Sequence, residues 1–363
     1  MKRDIALLLS CFIFLWNSHA QTTTSLSDAD LMISQARQIV EREVHKHNYP
    51  GAAVAVWHNG ALLWSEGVGF ANIQDSIRVD PAKSLFRIGS VSKTLTAAGL
   101  AQLVEQGLLD LDAPVQKYIP SFPEKKWPVT TRHVAHHVAG IRHYNGFEFY
   151  SNIHYASVDD GLGVFMHDTL LFEPGQKYSY SSYGWNLISS VMEGASGRNF
   201  LEFMREEVFT PAKMSNTYPD DIHMTELPRV TFYNDLEGEN IVAPHVDNSI
   251  KWAGGGFLST AEDLIKFGEA ILNNQLVQAE TTKMFWSVAA LKDGHKTNYG
   301  LGWTTNTDKR DRRWVGHSGG SVGGASMFLV YPEEQLIVVT LINRSQARAQ
   351  ELAFTIADQF LVE

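Results

Sequence analysis

Apolar residues recur every three or four positions at Leu31, Ala36, Ile39, Val40 and Val44, which predicts an amphipathic helix opening at Ser27 or Asp28. The period then shortens. GAAVAVWH and ALLWSEGVG are β-rich runs either side of Asn59-Gly60, a dipeptide that marks a tight hairpin. GASMFLVYPEEQLIVVTLINR, near the other end, predicts a second hairpin through Pro332-Glu333-Glu334. A closing helix follows, with Leu352, Ile356 and Phe360 four residues apart. Between the hairpins, Ser90 to about Leu111 reads as a helix and Pro114 to about Asp235 as short helices and turns. The pattern predicts a mixed α/β (α+β) fold. One antiparallel sheet is built from both ends of the chain, about residues 28–85 and 295–363, and is flanked by helices. A helix-rich region, about 90–290, is inserted between them.

The first residues follow another logic. Lys2 and Arg3, an apolar run from Ile5 to Trp16 and then Ser18-His19-Ala20 form the order of a secretory signal, so residues 1–20 are expected to be removed and the chain exported to a periplasm or secreted. That apolar run is too short to span a bilayer, and no other run approaches spanning length. The sole cysteine, Cys11, lies inside this segment, which leaves residues 21–363 without thiol chemistry. A lipidated Cys11 is the alternative reading of LLSC. A formal charge of -10 with no stripe of Lys and Arg argues against nucleic acid as a partner.

Ser90 and Lys93 stand one helical turn apart in FRIGSVSKTLTAAGL and share a face. A lysine beside so apolar a run must snorkel, pair or lose its charge, and a neutral amine can take the proton of a serine hydroxyl. The plainer reading makes Ser90 a helix cap and Lys93 a surface residue. EPGQKYSYSSYGWNLISSVME places Tyr180, Ser181 and Ser182 on a loop entering a helix from about Gly184, where Tyr180 either packs in the core or, beside Lys93, holds its phenolate partly formed or passes a proton to a leaving group. VGHSGGSVGG, just before the last hairpin, offers glycines on an edge strand whose free N–H groups can receive an oxyanion. His317 there either binds a substrate carbonyl or carboxylate or caps the strand.

Taken in order, Ser90-Val91-Ser92-Lys93, Tyr180-Ser181-Ser182 and His317-Ser318-Gly319 resemble the motifs of the penicillin-recognising serine hydrolases, a family of class C β-lactamases, DD-peptidases and esterases. FRIGSVSKTLTA, PGQKYSYSSYGWNL, YGLGW and GHSGG extend the likeness over nearly the whole chain after the signal. AGIRHY and VDNSIKWAGGGFLSTAEDLIKFG bring it closer to the mitochondrial serine β-lactamase-like proteins of animals. The resemblance implies a β-lactamase/transpeptidase-like fold and an acyl-enzyme at Ser90. Lys93 would be its base, Tyr180 a partner in proton transfer, and the N–H groups of Ser90 and Gly320 the oxyanion hole, with Ser182, His317, Ser318 and Gly319 on the substrate side. It implies no cofactor. Ser182 stands where β-lactamases have Asn, and His317 where they have Lys. Both changes weaken recognition of a β-lactam and favour a small peptide or ester substrate.

Three other readings compete. RHVAHHVAGIRHY gathers His133, His136, His137 and His143 but lacks the acidic residue of H-E-x-x-H, so no metal is expected and the stretch reads as structural. KWAGGGFLST lacks dinucleotide-site spacing and reads as a tight turn under the active-site floor. A catalytically weak protein that binds or self-associates on the same fold is the alternative to an enzyme.

Overall fold

A seven-stranded antiparallel sheet carries the fold, in the computed structural model, which describes residues 28–361. The expected signal segment, with Cys11 and the Ala20 cleavage site, lies outside the described residues. Across the sheet the strands run Ile77–Arg78, Ala61–Asn72, Gly51–His58, Leu336–Ile342, Gly324–Tyr331, Arg313–Ser321 and Thr304–Thr307. The two ends of the chain meet at its centre, where Ala52 pairs with Ile342 and His58 with Leu336. Asn59 and Gly60, at φ 50° and 89°, close the first hairpin with both residues left-handed, the turn that matches strand twist. The antiparallel sheet from both termini is therefore present as the sequence pattern predicted.

Alternation along the strands decides what each face meets. Val54, Val56, Met327, Leu329 and Val338 share one core with Ala36, Ile39 and Val40 of the Asp28–Lys46 helix and Leu352 and Ile356 of the Ala349–Phe360 helix. Leu31 departs from its predicted stripe and faces solvent. Ala53, Ala55, Phe328, Val330, Ile337 and Val339 belong to the larger core beneath the helix-rich lobe.

The lobe's central helix, Ser92–Glu105, begins two residues later than the sequence pattern suggested, after a 3-10 turn over Gly89–Val91. Nor is it one-sided. Every residue from Ser92 to Ala101 is buried, because the helix touches the Ser182–Ser196 helix, the π-helical turn Met204–Phe209, the Ala279–Trp286 helix and the sheet. Lys93 therefore has no route to water. The glycine run is a single helical turn, Trp252–Gly255, and a Cβ on Gly254 would come within 3.1 Å of the Ser182 carbonyl oxygen.

Candidate active site

The 3-10 turn lifts Ser90 out of the helix that follows it, so its hydroxyl stays partly exposed while Lys93 beneath it is fully buried. Lys93 Nζ lies 3.0 Å from Ser90 Oγ, 3.3 Å from Ser182 Oγ and 2.5 Å from the Gly254 carbonyl oxygen. Burial holds the lysine well below its ordinary pKa. A neutral amine has two hydrogens and one lone pair. The hydrogens match Gly254 and Ser182, and the lone pair is left for the Ser90 proton. Tyr180 donates its O–H to Ser90 Oγ at 2.7 Å, and its ring lies 4.9 Å from Nζ. Burial raises the Tyr180 pKa, so the partly formed phenolate expected from sequence gives way to a neutral phenol that donates.

Tyr180 is held by the histidine-rich stretch that sequence had made structural. Ser181 caps the Ser182–Ser196 helix, its hydroxyl accepting from Gly184 N–H at 3.1 Å and donating to the Arg142 carbonyl at 2.6 Å. The next two backbone N–H groups go to histidine rings: Ser181 N–H donates to His137 Nδ1 and Ser182 N–H to His143 Nδ1, each at 3.1 Å. Both rings are thereby fixed as acceptors at Nδ1. Burial lowers both pKa values, His143 to about 4. The His137 ring packs on that of Tyr180, centroids 4.2 Å apart and planes tilted by 40°. His136 turns elsewhere, its Nδ1 against the Tyr299 carbonyl, and His133 closes a capping box with Thr130. Among the described residues no group of three or more His, Cys, Asp or Glu could hold a metal ion.

The glycine-rich strand approaches from the other side. Thr304–Thr307 pairs only with Arg313–Gly316, so from His317 onward the outer edge of the strand has no ladder partner. A Cβ on Gly89, at φ 49°, would stand 2.7 Å from Gly320 O and 2.8 Å from Gly320 N; only glycine lets the serine turn and the open edge meet. Of the residues predicted on this strand, Gly320 lines the cleft and His317, Ser318 and Gly319 do not; Ser321 and Val322, which sequence reading missed, line it too. Strand alternation explains the correction. Ser318 faces the same side as its partner Met327, toward the terminal helices, while Gly319 packs on the Ile88 carbonyl, 2.0 Å from where its Cβ would sit. His317 is buried. Its Nδ1 donates to the Ser318 carbonyl at 2.6 Å and its Nε2 accepts from Tyr299 O–H at 2.8 Å, so neither nitrogen is free for a substrate. Burial drives its pKa down to about 3.

Ser90, Tyr180, Ser182 and Gly320 meet at a cavity of about 80 Å³, whose remaining wall holds His143, Tyr144, Phe149, Asn248 and Lys251. Sequence reading assigned none of these five to the site. Lys251 carried a signal: like Lys93, it is a lone charge inside an apolar run, Ile250-Lys251-Trp252-Ala253.

A nucleophilic serine against a buried neutral amine and a tyrosine hydroxyl, on a sheet-edge scaffold, defines the active-site serine hydrolases that work through an acyl-enzyme. The chain belongs to the β-lactamase family, whose pattern matches residues 36–360, and is a β-lactamase-related serine hydrolase. Among its relatives is the human mitochondrial serine β-lactamase-like protein LACTB, 30% identical, with 87% of this chain and 75% of the human protein covered. The octameric penicillin-binding protein homologue of Pyrococcus abyssi shares the fold at TM-score 0.79 and 22% identity, over 91% of this chain and 77% of that one. A D-stereospecific amidohydrolase from Streptomyces does so at TM-score 0.74 and 22% identity, over 89% and 97%.

Proposed function

We propose that the protein is an exported hydrolase that cleaves peptide amides or esters through an acyl-enzyme at Ser90. The observation that carries this is the position of Ser90 Oγ, 3.0 Å from Lys93 Nζ and 2.7 Å from Tyr180 Oη. Ser90 Oγ attacks the substrate carbonyl carbon and its proton passes to Lys93 Nζ. The oxyanion forms against the N–H groups of Ser90 and Gly320. As the C–N or C–O bond breaks, that proton leaves with the amine or alcohol, the Tyr180 hydroxyl lying on its path. Water then attacks the acyl carbon, gives its proton back through the same groups and releases the acid, restoring Ser90.

Supporting a peptide or ester over a β-lactam, His317 is neutral and engaged on both nitrogens, and Ser182 points its hydroxyl at Lys93. The amidohydrolase with this fold agrees with amide chemistry, and the octameric homologue with self-association. Intact-mass analysis after a neutral fluorophosphonate tests the central step. One adduct on the parent and none on Ser90→Ala supports it; an unlabelled but folded parent points instead to a binding or assembly protein. Export is tested separately by the N-terminus of the protein recovered outside the cytoplasm, expected at Gln21.

A further inference from the structure

Two lysines line or underlie the cleft, and the proton-transfer scheme uses only Lys93. Lys251 closes the 3-10 turn Ser249–Lys251 just before the glycine run, is only 5% exposed, and lines the cavity that holds Ser90. A lysine ammonium has three N–H donors. One goes to the Phe149 carbonyl at 2.7 Å. The rings of Phe149 and Tyr144, 5.1 and 5.7 Å from Nζ, hold the charge by their faces but accept no conventional hydrogen bond. No carboxylate pairs with it among the described residues. The two acidic groups nearby are already engaged: Asp220 takes Arg87 Nε at 2.7 Å, Asn248 Nδ2 at 2.7 Å and Arg229 at 3.4 Å, and Asp247 takes His154 at 2.9 Å and Ser249 N–H at 2.8 Å.

A buried cation with unused donors is costly unless something anionic completes it. The open direction is the cleft. Ser90 and Lys251 line the same cavity, so a group that reaches Lys251 belongs to the molecule that reaches Ser90. His317, the residue sequence reading had offered for a substrate carboxylate, is neutral and bonded at both nitrogens.

We propose that Lys251 is the anion-recognising residue of this cleft and selects acyl donors that carry a free carboxylate. The inference rests on the hydrolase reading of Ser90 for its substrate but not for its binding chemistry. Burial lowers Lys251 to about 8, which leaves it charged at neutral pH.

The test separates the two readings. A panel of blocked dipeptides, each prepared as the free acid and as the C-terminal amide, is titrated calorimetrically into Ser90→Ala protein. The same is done in that background with Lys251→Gln and with Lys251→Arg. At least one acid is expected to bind about ten-fold or more tighter than its amide, consistent with a hydrogen bond to a charged group. Lys251→Gln should erase the difference, and Lys251→Arg, with its charge, should keep it. No acid preferred over its amide, or a preference that survives Lys251→Gln, overturns the assignment. Amide binding and the melting transition of each variant report whether the cleft is still assembled. Fluorophosphonate labelling of the parent reads Ser90 on its own. Labelling without acid preference sinks Lys251 alone, and acid preference without labelling sinks only hydrolysis.

Discussion

Lys93 and Lys251 are both buried, both border the Ser90 cleft, and have opposite chemical fates. Lys93 sits in the first turn of a helix packed on every side, within 3.3 Å of three oxygen atoms. Lys251 sits on a short turn at the cleft wall, with one carbonyl and two aromatic faces. Burial depresses both; the Arg87 charge lowers Lys251 further while Asp220 and Asp247 oppose it, leaving about 8, whereas burial alone acts on Lys93. Sequence shows two lysines in apolar runs; only the surroundings decide which is a base and which is a cation.

The largest effect that separates them is catalytic. Lys93→Met removes the proton acceptor and should cost about 10³-fold or more in turnover with any acyl donor. Equal turnover in the folded variant would break the comparison at its root. Tyr180→Phe keeps the ring but removes the donor to Ser90 and should cost about 10²-fold, read as a fall in kcat. Lys251→Met should act through KM on carboxylate-bearing substrates, by about 10- to 100-fold, the scale of one hydrogen bond to a charge. A fall in kcat with unchanged KM would place Lys251 in the chemistry and erase the distinction.

Stability against pH tests the burial of both amines. Both lysines have folded pKa values below the ordinary 10.5, so between the folded value and 10.5 the unfolded chain holds the extra proton and stability rises with pH. For Lys251 the window opens at about 8, and the rise amounts to about 3 kcal/mol. For Lys93 the direction is the same. Chemical denaturation from pH 6 to 10 should therefore show a rise above pH 8 that Lys251→Met removes, and a rise of the same sign that Lys93→Met removes. A rise that neither variant flattens would contradict the burial of both amines. The smallest effect falls on the brace: His137→Phe leaves the buried Ser181 N–H without its acceptor and should cost about 1–3 kcal/mol in the same denaturation series, with Tyr180 less well held.

Much of this was legible in the chain. β-rich runs around Asn59-Gly60 and Pro332-Glu333-Glu334 gave both hairpins, because strands with an apolar core on each face read as near-continuous apolar runs broken only at the turns. The serine–lysine spacing and the tyrosine loop gave the centre of the site. What stayed hidden was set by long-range packing. That the helix of Lys93 is enclosed on every side was hidden, because nothing local says which elements will surround it. The histidine stretch looked structural because its task, accepting the N–H groups of Ser181 and Ser182, lies 39 to 44 residues away. Ser318 was misplaced because the strand register sets which side chain faces the cleft, and His317 because its partner, Tyr299, is 18 residues distant.

The measurement closest to the central claim is the rate at which a neutral fluorophosphonate labels Ser90 at pH 7, followed by intact mass in the parent, Ser90→Ala and Lys93→Met, each shown to be folded. A single adduct on the parent, none on Ser90→Ala and labelling at least about 10²-fold slower in Lys93→Met is the predicted result. Labelling of Lys93→Met at the parent rate would contradict the account, because Ser90 would then be activated without the amine beneath it.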